Sequence, residues 1–171
     1  NKLMPENVAV CDDSEMMRSA LSAQPGVVNT GAAGTATRFS LAYLSMLPGE
    51  YELTGSERMK QRPIKILVEA LRNIGADIEY LEKEGFLPLK INGKELQGGE
   101  IELFGGVSSQ YISALLMIAP YMRKGLKLTL IGNIISMPYI KMTISLMSLY
   151  GADVQMKGNE IKVSPGRYNP L

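Results

Sequence analysis

The sequence predicts an α/β fold assembled from a repeated supersecondary unit. Short apolar runs of strand length alternate with longer apolar stretches that open on capping residues or proline and close on glycine. The alternation then recurs. Leu53-Thr54 matches Leu128-Thr129 and Pro63 matches Pro138, each 75 positions apart by subtraction, and Gly75-Ala-Asp77 matches Gly151-Ala-Asp153, 76 apart. Self-similarity at a fixed period marks a repeated structural unit. Two polar motifs, Gly31-Ala-Ala-Gly-Thr-Ala-Thr-Arg38 and Ser108-Ser-Gln110, fall at equivalent points of that repeat, each ahead of an apolar helical run.

Taken in order, Val8-Ala-Val-Cys11 reads as a short strand, and Asp12-Asp-Ser-Glu15 supplies the N-cap and first-turn acids of a helix through Leu21. Gly26-Val-Val28 is a brief strand leading into the Gly31 motif. Thr37 to Leu47 is an apolar helix stopped by Pro48-Gly49, and Tyr51 to Thr54 is a strand. Pro63 to Ile74 is a helix with proline in its first turn and Gly75 at its end, the favoured places for both. Asp77–Tyr80 and Leu89–Ile91 pair around Glu84-Gly85, and Glu100–Leu103 is a further strand. The second pass runs as helix 109–122, strand Leu126–Ile131, helix 138–150 and a hairpin of Asp153–Met156 with Glu160–Val163. Each unit is therefore βαβαββ. Residues 1–28 read as the tail of an earlier unit, 29–103 as the first full unit and 104–165 as the second. The whole of 1–171 is expected to be a single partial domain, truncated at its N-terminus, of a larger protein.

Composition narrows the chemistry. The chain has no histidine, which removes the commonest general base, the commonest metal ligand and every histidine-activated nucleophile. Cys11 is the only cysteine and reads as a semi-buried structural thiol, so neither an internal disulfide nor a cysteine metal cluster is available. Eighteen basic residues against 17 acidic ones leave a net charge of +1, and the basic run Glu57–Arg62 lacks interleaved aromatics, so nucleic acid is not an expected partner. Residues 111–122, the most apolar stretch, are too few to span a bilayer and read as a buried helix. No membrane partner and a cytoplasmic location are expected. Met117, Met142 and Met147 read as core filler.

The helix openings carry the remaining signal. The first turn of a helix leaves backbone N–H groups unpaired and lies at the positive end of the dipole, which favours an anion. At the first opening, Gly31 and Gly34 permit close backbone approach or positive φ, Thr35 can cap the helix, and Arg38 lies one turn in, within reach of an anion or a carboxylate. Ser108, Ser109 and Gln110 put two hydroxyls and an amide at the second, where a cap would account for one serine. Arg62 precedes the Pro63 helix, and Ser136 and Tyr139 flank Pro138. Taken singly these are a tight turn, a cap, a solvated arginine and a packing tyrosine. At repeat-equivalent helix starts they read together as one site for a multiply anionic small molecule.

The same residues resemble the 3-phosphoshikimate 1-carboxyvinyltransferases, or 5-enolpyruvylshikimate-3-phosphate synthases. The resemblance runs through Gly31–Phe39, Arg58–Leu71, Leu96-Gln-Gly-Gly-Glu100, Ser108–Met117 and Ser136–Thr143, nearly the whole chain. It implies an inside-out α/β barrel in a two-domain transferase with helix N-termini facing the interdomain cleft. The implied reaction belongs to the shikimate pathway of aromatic amino acid biosynthesis. It moves the enolpyruvyl group of phosphoenolpyruvate to the 5-hydroxyl of shikimate 3-phosphate, releases phosphate and calls for no metal or organic cofactor. By resemblance Ser108, Ser109, Gln110, Ser136 and Tyr139 hold shikimate 3-phosphate. Gly34, Arg62 and Gln110 contact phosphoenolpyruvate, and Thr35 and Arg38 support the loop. Ala32 stands where the family often has asparagine. The family's N-terminal Lys-Ser, its nearby Arg and the acidic proton-transfer residues of its second domain have no counterpart here, so no catalytic residue is expected in this chain and the fragment alone is expected to be inactive. Two other readings use the same fold. One is a UDP-N-acetylglucosamine enolpyruvyl transferase, which needs a reactive-loop cysteine where none follows Cys11. The other is a noncatalytic anion-binding domain.

Overall fold

A computed structural model describes residues 7–169. It opens on helix α1 (Asp12–Leu21), followed by strand β1 (Gly26–Asn29), helix α2 (Gly34–Met46), strand β2 (Gly49–Thr54), the single turn α3 (Glu57–Lys60) and helix α4 (Lys65–Asn73). Strands β3 (Asp77–Tyr80) and β4 (Leu89–Gly93) complete a four-stranded sheet of order β1-β2-β4-β3. The pattern then repeats through β5 (Gly99–Phe104), α5 (Ser109–Ile118), β6 (Leu126–Ile131), α6 (Met137–Leu149), β7 (Val154–Lys157) and β8 (Glu160–Val163). Its sheet has the order β5-β6-β8-β7, the same permutation. In both sheets the first two strands run parallel and the remaining pairs antiparallel. A parallel pair needs a crossover, and α2 and α5 are those crossovers. The fold is thus mixed α/β with a duplicated βαβαββ unit.

Several local readings change. Residues 8–11 form no strand and Cys11 is exposed, because an apolar run becomes a strand only where a partner accepts its ladder, and none among the described residues pairs here. Strands β1 and β5 open their sheets at Gly26 and Gly99, each hydrogen-bonded in parallel to the strand that follows its crossover helix. Pro63 stands before α4 rather than in its first turn. The helix cap is Ile64, whose N–H donates to the Gly85 carbonyl at 2.8 Å instead of entering a helix. The turn α3 lies inside the charged run, capped by Ser56, whose hydroxyl accepts from the Met59 N–H at 3.3 Å. The helix expected over 109–122 ends at Ile118 and passes into a 3-10 turn at Ala119–Tyr121 containing Pro120.

The two units share one core. Leu41, Leu44, Leu53, Leu67, Leu71, Leu89 and Ile91 of the first unit are fully buried in the same cluster as Ile112, Leu115, Leu128 and Ile161 of the second. Helix α2 packs against α1 and α5, and α5 against α6. Small residues on α2, including Ala36, Ser40 and Ala42, are almost wholly buried and let these helices approach closely. Side by side, α2 and α5 bring their N-termini to one region. Among the described residues no helix is long and apolar enough to cross a membrane.

Candidate functional site

The first helix opening is built by threonines that the motif reading passed over. The hydroxyls of Thr30 and Thr37, both fully buried, lie 2.7 Å apart so that one donates to the other, and the proton left over goes to the Thr54 carbonyl at 3.1 Å or the Ala33 carbonyl at 2.9 Å. These bonds fix the chain between β1 and α2. Gly31 turns it at φ +56, and its carbonyl accepts the Ser56 N–H at 2.9 Å, tying this loop to α3. Gly34 begins the helix. A Cβ there would lie 2.6 Å from Arg62 Nη1 and 3.1 Å from Arg38 Nη1, so only glycine lets both guanidinium groups close on this backbone.

Thr35 is not the cap; Ala33 holds that place and Thr35 lies inside the first turn. Its Oγ1 accepts from Gln110 Nε2 at 2.9 Å, across 75 positions of sequence. The repeat-equivalent first turns of α2 and α5 therefore touch through these two side chains. At α5, Ser108 is the N-cap and its Oγ accepts the Gln110 N–H at 3.3 Å. The next residue, Tyr111, is buried and donates its hydroxyl to the Pro63 carbonyl at 2.8 Å, beside Arg62.

Arg38 turns inward: it is 4% exposed and pairs with no carboxylate among the described residues; Nη1 donates to the Gly34 carbonyl at 3.0 Å and to Met59 Sδ at 3.4 Å. Its Nε is buried without a partner among the described residues. Burial, then the neighbouring Arg62 guanidinium, pull its pKa below the ordinary arginine value, and the Tyr111 oxygen offsets part of this.

An open cavity of about 840 Å³ lies against these openings. Thr35, Arg62, Ser108, Ser109, Gln110 and Tyr139 line it with polar groups, and Phe39 of α2, Met117 of α5, Met142, Leu146, Met147 and Tyr150 at α6, and Tyr168 add apolar and aromatic surface. Ser113 and Thr143 link those helices: Thr143 donates to the Tyr139 carbonyl at 3.0 Å and accepts from Ser113 at 2.7 Å. Arg62 is the one charged side chain among the described lining residues, and it forms none of the ion pairs found among them. An exposed guanidinium amid neutral hydroxyls, an amide and helix N-termini suits a carboxylate or phosphate, each of which it can bind bidentately.

Of the residues singled out in the sequence, Thr35, Arg62, Ser108, Ser109, Gln110 and Tyr139 line the cavity, and Gly34 backs Arg62. Ser136 is the positional N-cap of α6, but its side chain makes no capping bond and it is not among the lining residues. Of the methionines expected as core filler, Met117, Met142 and Met147 all line the cavity; Met142 is 63% exposed, and only Met147 is also buried in the core. No cluster of three or more His, Cys, Asp or Glu residues able to hold a metal occurs among the described residues. Phe39 on α2 and Tyr168 beyond β8 line the cavity without having been singled out, because apolar spacing alone does not separate a cavity wall from a core.

Known proteins resemble this chain in sequence and in fold. The family model of EPSP synthase (3-phosphoshikimate 1-carboxyvinyltransferase) matches residues 3–170. A 3-phosphoshikimate 1-carboxyvinyltransferase of Bacteroides fragilis is 53% identical over 169 residues, which are 98% of this chain and 41% of that protein. The enzyme of the same name from Shewanella halifaxensis is 38% identical over 172 residues, covering 96% of this chain and 40% of the relative. The chain thus spans about two fifths of the length of these curated relatives. A solved EPSP synthase from Acinetobacter baumannii superposes with a TM-score of 0.73 at 23% identity, over 86% of this chain and 32% of that one, and has the same fold.

Proposed function

The chain belongs to the EPSP synthase family, and from that premise we propose that it supplies one wall of an active site that transfers the enolpyruvyl group of phosphoenolpyruvate to shikimate 3-phosphate. The observation that carries the reading is the meeting of the α2 and α5 openings, through Thr35 and Gln110, at a cavity whose one charged lining side chain is Arg62. Both substrates are anions with several oxygens to satisfy. In this reading Ser108, Ser109, Gln110 and Tyr139 bind the hydroxyls and phosphate of shikimate 3-phosphate, with Ser136 contributing from the start of α6. Arg62 binds phosphoenolpyruvate over the Gly34 backbone, and Gln110 lies between the two ligands. Thr35 and Arg38 hold the loop, Arg38 from inside through the Gly34 carbonyl.

Binding and orientation are the chain's contribution. Directed hydrogen bonds hold the acceptor, and a fixed guanidinium neutralises the donor's charge before reaction, so little reorganisation is needed as charge moves. Proton transfer is assigned to groups on the opposing wall of the whole protein, which is also its proposed partner. The proposed setting is the cytoplasm, in aromatic amino acid biosynthesis. The test is phosphate release by the full-length protein. Release that requires phosphoenolpyruvate and shikimate 3-phosphate together supports the reading; release unchanged when shikimate 3-phosphate is left out contradicts it.

A further inference from the structure

Arg62 occupies the short connection between α3 and α4, yet its guanidinium is placed closely against Gly34. Its own N–H donates to the Met59 carbonyl at 3.0 Å, and the Ile64 N–H donates to the Gly85 carbonyl at 2.8 Å. Pro63, between them, has no N–H, and its carbonyl is the acceptor of the Tyr111 hydroxyl at 2.8 Å, a bond reaching back 48 residues from the other unit. Tyr111 is 8% exposed and follows Gln110, which holds Thr35. Two consecutive residues of α5 thus grip both anion-facing openings of the first unit. A ring that served packing alone would need no hydroxyl, and this hydroxyl ends on the peptide adjoining Arg62, the one charged residue among the described residues of the cavity lining.

We infer that Tyr111 is a positioning residue: its bond to the Pro63 carbonyl sets the Arg62 guanidinium over Gly34 and ties the phosphoenolpyruvate end of the site to the helix that binds shikimate 3-phosphate. The inference rests on the functional reading given above and adds a specific tie between its two halves. Tyr111→Phe keeps the ring and deletes the bond. Tyr51→Phe is the matched control, because the buried Tyr51 hydroxyl donates to another proline carbonyl, Pro48, at 3.2 Å, with no part in the cavity lining.

In the full-length protein, Tyr111→Phe is expected to weaken phosphoenolpyruvate binding in the presence of shikimate 3-phosphate by about three- to tenfold, the worth of one neutral hydrogen bond. Shikimate 3-phosphate affinity alone should stay within about twofold, while Tyr51→Phe changes neither. Amide hydrogen exchange of the ligand-free protein should quicken at Arg62 and Ile64 in Tyr111→Phe alone. Unchanged phosphoenolpyruvate affinity, or equal weakening of both ligands, overturns the proposal. Wild-type protein that binds neither ligand defeats the functional reading instead. The exchange comparison still decides the positioning role in that case, and unchanged exchange at both amides overturns it.

Discussion

Single residues at the cavity mouth were legible to different degrees. Ser108, Gln110 and Arg62 stand out in sequence because polar side chains immediately before an apolar helix have few structural duties beyond one cap, and all three line the cavity. For Arg38 sequence leaves the direction open, since a side chain that long can turn inward or outward from the same backbone position, and here it turns inward to the Gly34 carbonyl. Thr35 has the chemistry of a cap, but Ala33 holds that place, since sequence does not fix a helix start to the residue. Gly34 gives the sharpest prediction at this scale. A methyl group there meets Arg62 Nη1 at 2.6 Å and must displace it. Gly34→Ala should therefore lower phosphoenolpyruvate affinity by about tenfold, the equivalent of about 1.4 kcal/mol, with a smaller effect on shikimate 3-phosphate. Calorimetric titration of each ligand checks this, and equal effects on both would place the clash elsewhere.

At the scale of elements, helices and paired strands were read well where apolar runs were long or recurred. The errors fell where local sequence is silent about partners. Val8-Ala-Val-Cys11 has strand composition and finds no ladder, while α3 is a single charged turn without an apolar stripe. Helix α5 is the element on which both units depend, burying Tyr111, Ile112, Leu115 and Leu116 while presenting Ser109 and Gln110 to the cavity. Leu115→Ala should cost about 2–5 kcal/mol, because the fully buried site leaves a cavity that neighbours fill only partly. Leu149→Ala, at a side chain 59% exposed on α6, should change stability by less than about 0.5 kcal/mol. Urea unfolding of the two variants decides between them, and comparable losses would contradict the central place given to α5.

For the molecule as a whole, the repeat was the most legible feature. Matches at three anchors predicted two like units, and the sheets have the same strand permutation. Sequence joins the repeat-equivalent helix starts in one site but does not show the direct contact: Thr35 and Gln110 meet because α2 and α5 pack side by side over the small buried residues of α2. In the proposed mechanism the proton-transfer groups belong to the other wall of the site. The 171-residue chain by itself should then show no phosphate release above a denatured-protein blank when given both substrates, and release dependent on shikimate 3-phosphate would contradict that division of labour. The central claim is that the helix openings of both units make one site with two anionic subsites. Its most direct test is calorimetric titration of both ligands into full-length Ser109→Ala, Gln110→Ala and Arg62→Ala, with folding checked by thermal melts. Ser109→Ala and Gln110→Ala should weaken shikimate 3-phosphate binding by about 0.5–1.5 kcal/mol each, and Arg62→Ala should weaken phosphoenolpyruvate binding by about 1.5–3 kcal/mol, the difference between a neutral and a charge-assisted hydrogen bond. Unchanged affinities in all three well-folded variants, or an Arg62→Ala effect confined to shikimate 3-phosphate, would contradict it.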